Sequence, residues 1–177
     1  MLLSCPIETP RLVLRTLAAA DVGEAYMSWL RDPEVIRFLE VRFLPPQAIE
    51  QIRAFVESAN KSGDNLLLGI FRKDDNVHIG NVKLGPIVRE HARSPIGYMI
   101  GERSSWGKGY ASEAINAVAR HALETMGLEK ISAGCYETNV GSSKALLKAG
   151  FKQEATIPSD VNIDGRRVAS VYYGMHR

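Results

Sequence analysis

The chain has 177 residues, of which 45% are hydrophobic and 24% are charged. This length and composition predict one globular domain over residues 1–177, and they exclude a disordered, collagen-like or coiled-coil protein. Lys and Arg total 22 and Asp and Glu total 20, and the resulting net charge of +2 disfavours nucleic acid as a partner.

The first third of the chain predicts one strand followed by two helices. Arg11–Leu17 alternates apolar and basic residues, which is the pattern of a strand. A helical stretch opens at Asp21 and is interrupted at Asp32-Pro33, because proline fits only the first turn of a new helix. Apolar residues recur at helical spacing from Ile49 to Ala59, which predicts the second helix.

The middle of the chain predicts three strands and the longest helix. Asn65–Arg72 is a dense apolar run and Val77–Leu84 alternates, and the turn residues between them predict a hairpin. Ile96–Ile100 predicts a further strand. Apolar residues then mark one helical face from Ala111 to Met126, and a glycine that ends such a helix follows at position 127.

The last third predicts a strand at Lys130–Tyr136, a short helix at Ser142–Lys148, and two strands, Phe151–Ile163 and Val168–Tyr173. Asp164-Gly165 between the last two strands is a hairpin signal. The hairpins imply antiparallel pairing, and the strand–helix–strand unit in the middle implies one parallel pair. The sequence therefore predicts an α/β fold of the α+β kind, with one mixed, mostly antiparallel sheet of about seven strands and about four helices.

Cysteine and histidine spacing indicates neither a disulfide scaffold nor a metal site. Cys5 and Cys135 form no CxxC pair, and the four histidines show no metal-ligand spacing. No apolar run reaches the length of a membrane span. We therefore expect a cytoplasmic protein without a metal and without a membrane partner.

The segment from Trp106 to Ala111, WGKGYA, joins a predicted strand directly to the long helix. Its two glycines let the backbone approach a ligand with the N–H groups turned outward, and the helix N-terminus adds a positive dipole. The junction therefore favours an anion such as a pyrophosphate, with Lys108 as an additional cation. The same glycines are compatible with a plain turn that starts a helix. The spacing matches neither a Walker A loop nor the Rossmann dinucleotide fingerprint.

The longer segment GYMIGERSSWGKGYASEA resembles the signature of the GNAT superfamily of acyl-CoA N-acyltransferases, a strand followed by Q/R-x-x-G-x-G/A and a helix. Trp106 stands where that family usually has Gln or Arg. A second family block is similar to Asn139-Val140-Gly141-Ser142 with Gly150-Phe151 after it. The N-terminal ETPRLVLR resembles the branch that includes ribosomal-protein N-terminal acetyltransferases and sugar-amine acetyltransferases.

The resemblance implies a sheet that splits in the middle to admit acetyl-CoA, and it implies roles for particular residues. The CoA pyrophosphate would be bound by the backbone amides of Gly107, Lys108, Gly109, Tyr110 and Ala111, helped by Ser112. The pantetheine arm and the thioester carbonyl would pair with backbone groups of Met99, Ile100 and Gly101. Asn139 would approach the cofactor or the reaction centre, serve as a plain helix N-cap, or do both.

The resemblance also implies candidates for proton transfer. Many family members carry a tyrosine seven residues after the asparagine as general acid for the departing thiolate, and here that position is Leu146. Ser142 is the remaining hydroxyl candidate, with helix capping as the alternative. Glu102 is the candidate base, acting directly or through water, with a solvated surface glutamate as the alternative.

The acidity of the acceptor amine decides which substrates suit a site without a strong base. Removing a proton from a lysine-like amine, with a pKa near 10.4, costs about 4–5 kcal/mol at neutral pH, whereas an α-amino group costs only about 1 kcal/mol. We therefore expect direct attack on acetyl-CoA by a primary amine, with a small amino sugar or a protein N-terminus favoured over a lysine side chain. The alternative is a catalytically weak CoA-binding regulatory module. The sequence is compatible with a monomer or a homodimer.

Overall fold

The computed structural model describes residues 1–177 and contains eight strands and five α-helices. The strands are β1 (Ile7–Glu8), β2 (Leu12–Thr16), β3 (Leu66–Arg72), β4 (His78–Leu84), β5 (Arg93–Ile100), β6 (Lys130–Tyr136), β7 (Lys152–Ile163) and β8 (Arg166–His176). The helices are α1 (Glu24–Arg31), α2 (Pro33–Ile36), α3 (Ile49–Lys61), α4 (Tyr110–Glu124) and α5 (Val140–Lys148).

The strands form one sheet in the order β1-β2-β3-β4-β5-β6-β8-β7. Only β5 and β6 pair in parallel, and every other neighbouring pair is antiparallel. The predicted mixed, mostly antiparallel sheet is therefore confirmed, with eight strands instead of about seven. The additional strand, β1, has only two residues, too few to show an alternating pattern.

The interruption predicted at Asp32-Pro33 ends α1 and starts the additional short helix, α2. The carboxylate of Asp32 accepts a hydrogen bond from the N–H of Glu34 at 2.9 Å, so Asp32 is the N-cap of this helix. Pro33 occupies the first turn, where its missing N–H costs nothing. Four residues are too few to show the helical repeat of hydrophobic residues, which explains why the sequence predicted about four helices and not five.

The helices cover both faces of the sheet. Leu66, Leu68 and Ile70 of β3 belong to a core shared with α4 and α5, whereas Leu67 belongs to a second core shared with α1 and α3. This division follows from the alternation of side chains along a strand, which sends successive residues to opposite faces. None of the five helices combines the length and the apolar character that crossing a membrane requires.

The sheet opens between β5 and β6. These strands are paired only at their beginnings, where Arg93 to Pro95 lie opposite Lys130 to Ser132. β5 stays paired with β4 as far as Ile100, and β6 stays paired with β8 as far as Tyr136. Each strand therefore follows its antiparallel partner, and the two halves of the sheet leave a gap between them.

Candidate active site

The loop between β5 and α4 presents a run of backbone N–H groups without backbone partners. From residue 107 to residue 112 no N–H donates to a backbone carbonyl, and the first helical bond runs from the N–H of Glu113 to the carbonyl of Gly109 at 3.2 Å. Gly107 and Gly109 have φ angles of +74° and +81°, a conformation that favours glycine. Combined with the helix dipole, these free donors suit an anion.

Two cations flank this loop from distant parts of the chain. A Cβ atom added at Gly109 would lie 3.5 Å from Nη2 of Arg11 and 3.6 Å from Nζ of Lys148. Nη1 of Arg11 also donates to the carbonyl of Lys108 at 2.9 Å, and Lys108 is itself exposed. The residues present therefore fit a pyrophosphate, because free N–H donors and positive charges meet at one point.

Arg11 is held in place by Glu113 of α4. Nε and Nη2 of Arg11 lie 2.7 Å and 2.6 Å from Oε2 of Glu113, and the hydroxyl of Thr9 donates to Oε1 at 2.6 Å. Burial alone would raise the pKa of Glu113, but hydrogen bonds from Thr9 and Arg11 outweigh it and the pKa lies below its usual value. The sequence did not reveal Arg11 as a site residue, since it lies 102 residues before Glu113.

Two side chains of the loop have partners within the protein. The hydroxyl of Ser112 is turned back and donates to the carbonyl of Gly109 at 3.2 Å, and Ser112 is buried. The ring of Tyr110 packs under the guanidinium of Arg11, 4.6 Å from its carbon to the ring centroid. The hydroxyl of Ser112 is therefore already engaged, whereas the N–H groups of Ser112 and Tyr110 have no backbone acceptor. The binding role predicted for residues 107–112 stays a prediction.

A cleft of about 310 Å³ occupies the gap between the two halves of the sheet. Its walls come from β5, β6 and β8 and from the beginning of α5, and the residues after α2 form its roof. The lining residues are Phe38, Leu39, Glu40, Ile96, Gly97, Tyr98, Gly134, Cys135, Tyr136, Asn139, Ser142, Ser170 and Tyr172.

Backbone directions along β5 correct part of the predicted pantetheine site. The N–H of Gly101 donates to the carbonyl of Ile79, at the start of β4, at 2.9 Å. Met99 lies opposite Asn81 of β4, and alternate residues of a strand direct their backbone groups to the same side. Met99 and Gly101 therefore turn these groups towards β4, away from the gap. Position 101 requires a glycine on steric grounds, because a Cβ atom there would overlap the indole of Trp29.

Tyr98 and Ile100 turn their backbone groups towards the gap instead. No strand pairs with them on that side, since the bonded part of β6 ends opposite Pro95. The carbonyl of Ile100 accepts a hydrogen bond from the indole N–H of Trp106 at 2.8 Å. Of the three residues predicted to meet the pantetheine arm, only Ile100 turns its backbone groups towards the gap, and its role stays a prediction.

Asn139 and Ser142 meet at the first turn of α5. The side-chain oxygen of Asn139 accepts a hydrogen bond from the N–H of Ser142 at 3.1 Å, so Asn139 is the N-cap of this helix. The capping alternative is therefore confirmed for Asn139, which also lines the cleft. Ser142 does not cap the helix with its hydroxyl. Its Oγ lies 2.6 Å from Oη of Tyr98, across the gap on β5.

Leu146 and Cys135 both have buried surroundings. Leu146, seven residues after Asn139, has no exposed surface and belongs to the core, so this position does not face the cleft. Cys135 lines the cleft, but burial raises the pKa of its thiol and so disfavours the nucleophilic thiolate. A covalent intermediate on Cys135 has no support in this geometry.

Glu102 lies just after β5 but does not line the cleft. Its carboxylate accepts a hydrogen bond from the N–H of Ser104 at 3.1 Å, and it thereby caps the turn Arg103–Ser105. Hydrogen bonds from the side chain and the N–H of Ser104 lower the pKa of Glu102. A lower pKa makes a carboxylate a weaker base, and the catalytic role of Glu102 stays a prediction.

Glu40 supplies the only carboxylate on the cleft wall, and no histidine lines the cleft. The hydroxyl of Tyr136 donates to Oε1 of Glu40, which connects the roof to β6. The ring of Phe38 lies 6.4 Å from that of Tyr136, between centroids. The sequence did not reveal Glu40, because it lies in a short 3-10 turn, Glu40–Phe43, 96 residues before its partner.

Comparison with known proteins identifies the class to which this arrangement belongs. The family model for the acetyltransferase (GNAT) domain matches residues 11–152. The chain is also 33% identical over 153 residues to the uncharacterized N-acetyltransferase YoaA of Bacillus subtilis (strain 168), and the match covers 85% of each protein. The chain belongs to the GNAT family of acetyltransferases. It is thus an acyl-CoA-dependent N-acyltransferase, and the family resemblance of its motifs is confirmed.

Solved structures confirm the GNAT fold. A GNAT-family acetyltransferase from Bacillus anthracis matches with a TM-score of 0.81 at 24% identity, covering 97% of this chain and 98% of that one. Spermidine N-acetyltransferase from Vibrio cholerae, solved in complex with CoA and spermine, matches with a TM-score of 0.81 at 18% identity. That match covers 95% of this chain and 96% of the other.

Proposed function

We propose that this N-acetyltransferase transfers the acetyl group of acetyl-CoA to a primary amine of low pKa, such as a peptide N-terminus or an amino sugar. The free backbone N–H groups of residues 107–112, placed beside the opening in the sheet, are the observation that carries this proposal. They would hold the pyrophosphate, while Arg11 and Lys148 would add positive charge.

The reaction would proceed by direct attack. The amine nitrogen forms a bond to the thioester carbonyl carbon, the carbon–sulfur bond breaks, and its electron pair stays on sulfur. The nitrogen loses one proton to water or to a base. The sulfur takes up one proton from water, so that the N-substituted acetamide and CoA thiol are the products, and no atom of the protein is acylated.

The composition of the cleft supports an acceptor of low pKa. A lysine-like amine needs about 4–5 kcal/mol to lose its proton at neutral pH, and an α-amino group needs about 1 kcal/mol. The cleft wall offers one carboxylate, Glu40, already engaged by Tyr136, and no imidazole. A cleft with this composition gives little help in removing a proton from a lysine-like amine.

An acceptor panel tests this proposal. CoA thiol release would be measured at pH 7 with acetyl-CoA and four acceptors: a peptide with a free N-terminus and no lysine, glucosamine, an N-acetylated lysine peptide, and spermidine. We expect the first two to react faster. A lysine peptide or spermidine as the best acceptor would contradict the amine-pKa argument. Tight CoA binding without release from any acceptor would instead indicate a regulatory CoA-binding module.

A further inference from the structure

A phenol and an alkyl hydroxyl meet across the gap in the sheet. Oη of Tyr98 lies 2.6 Å from Oγ of Ser142 and 3.2 Å from the backbone carbonyl of Ser142. Tyr98 and Ser142 both line the cleft, and Tyr98 belongs to β5 while Ser142 belongs to the first turn of α5. The contact therefore joins the two sides of the cleft at the level of that first helical turn.

The Tyr98 phenol has one hydrogen and two acceptors within reach, Oγ of Ser142 at 2.6 Å and the carbonyl of Ser142 at 3.2 Å. Either hydroxyl of the Tyr98–Ser142 pair can be the donor, because each has one hydrogen and lone pairs that accept. When Tyr98 donates to Oγ, the Ser142 hydrogen is free to turn towards the cleft that both residues line. Without Tyr98, the Ser142 hydroxyl loses its partner on β5 and keeps only its neighbour on β6, the thiol of Cys135.

Burial keeps this phenol neutral. Burial raises the pKa of Tyr98 to about 12. The hydrogen bond with Ser142 lowers this pKa, but its effect is smaller than that of burial. The conjugate thiol of the leaving group has a pKa near 8.5, well below that of the buried phenol, so complete transfer of the phenolic proton would be unfavourable. The pair is consequently suited to donate hydrogen bonds to a developing negative charge and to keep its protons.

We propose that Tyr98 is a positioning residue that orients the hydroxyl of Ser142 towards the thioester sulfur, an inference that rests on the proposed acetyl transfer. As the carbon–sulfur bond breaks, its electron pair moves to sulfur and Ser142 donates a hydrogen bond to the developing thiolate. The thiolate takes its proton from solvent on release, and the amine loses its proton to water or to a base. Tyr98 and Ser142 end the cycle in the protonation state in which they began.

A double-mutant cycle in kcat tests this proposal. Tyr98→Phe removes only the phenolic oxygen, and we expect it to lower kcat about 10-fold with the Kd of CoA and the KM of acetyl-CoA unchanged. Ser142→Ala should lower kcat at least as much. Because Tyr98 acts through Ser142, Tyr98→Phe should cause no further loss in the Ser142→Ala background. A merely structural tyrosine would instead lower kcat by a similar factor in both backgrounds.

Tyr26→Phe is the matched control. Tyr26 of α1 is a buried phenol of the second core, its pKa is raised by burial to about 12 like that of Tyr98, and it does not line the cleft. We expect its kcat to stay within twofold of the original protein. Wild-type kcat in Tyr98→Phe, or equal losses in both backgrounds, would overturn the proposal. Absence of thiol release in the unmodified protein with every acceptor would show, before any variant is measured, that the proposed acetyl transfer itself fails.

Discussion

Replacement of Arg11 by glutamine tests whether the cations around the α4 N-terminus bind the pyrophosphate. Arg11 makes two contacts with Glu113, at 2.6 and 2.7 Å, and one with the carbonyl of Lys108, at 2.9 Å. Hydrogen bonds of charged groups contribute about 1.5–3 kcal/mol each, but the side chain of Arg11 is 47% exposed, which weakens its electrostatic share. We expect a loss of about 1.4 kcal/mol in CoA binding, which is about 10-fold in Kd.

The carboxylate of Glu113 should weaken CoA binding in the Arg11→Gln variant for a second reason. Arg11→Gln leaves this carboxylate, whose side chain is only 16% exposed, without its cation and close to the bound anion. Repulsion should therefore weaken CoA binding further, and Glu113→Gln introduced into the Arg11→Gln variant should restore part of the affinity. Both effects should shrink when the salt concentration rises, because salt screens charges that lie near the surface.

Calorimetric titration with CoA at low and high salt measures these changes. Arg120→Gln is the matched control, since Arg120 is an exposed arginine of the same helix that pairs with Glu124 at 2.9 Å, near the opposite end. Its Kd for CoA should equal that of the original protein. An unchanged Kd in Arg11→Gln would refute the role of Arg11, and no recovery in the double variant would refute the repulsion argument.

Two further predictions concern the loop and the candidate base. Gly109→Val should weaken CoA binding at least 10-fold by calorimetry, because it adds a branched side chain between two cations at a φ of +81°; unchanged affinity would remove the anion-site interpretation. Glu102→Gln should lower kcat by less than about 10-fold near pH 7, since hydrogen bonds from Ser104 lower the pKa of Glu102 and limit its strength as a base. The loss should shrink as the pH rises and neutral amine becomes plentiful, and identical pH–rate profiles would exclude Glu102 as the base.

Strands and helices with a clear period were predictable from the sequence. The long helix from Tyr110 to Glu124 carries seven buried residues on one face, and the hairpin between β7 and β8 turns at Asp164-Gly165, where both φ angles are positive. Features that depend on contacts between distant segments were not predictable. Arg11 donates a hydrogen bond to the carbonyl of Lys108, which lies 97 residues further along the chain. Neither the local sequence pattern nor the composition predicts such a contact.

Strand β5 shows why the cofactor wall was only partly predictable. The resemblance indicated β5, which does border the gap, but the backbone groups of a strand alternate between its two sides. A shift of one position therefore turns a residue's N–H and C=O from one neighbouring strand to the other side. The side was set by the register with β4, in which Met99 lies opposite Asn81, and this register is a tertiary property. The role proposed for Tyr98 also depends on a tertiary contact that the sequence does not show. Its partner, Ser142, lies 44 residues further along the chain, on a helix beside the opening between β5 and β6. The opening that we propose as the acetyl-CoA site is thus also the place where two hydroxyl groups from distant parts of the chain meet. A variant that closes the gap between β5 and β6 should therefore lose both CoA binding and the Tyr98–Ser142 contact.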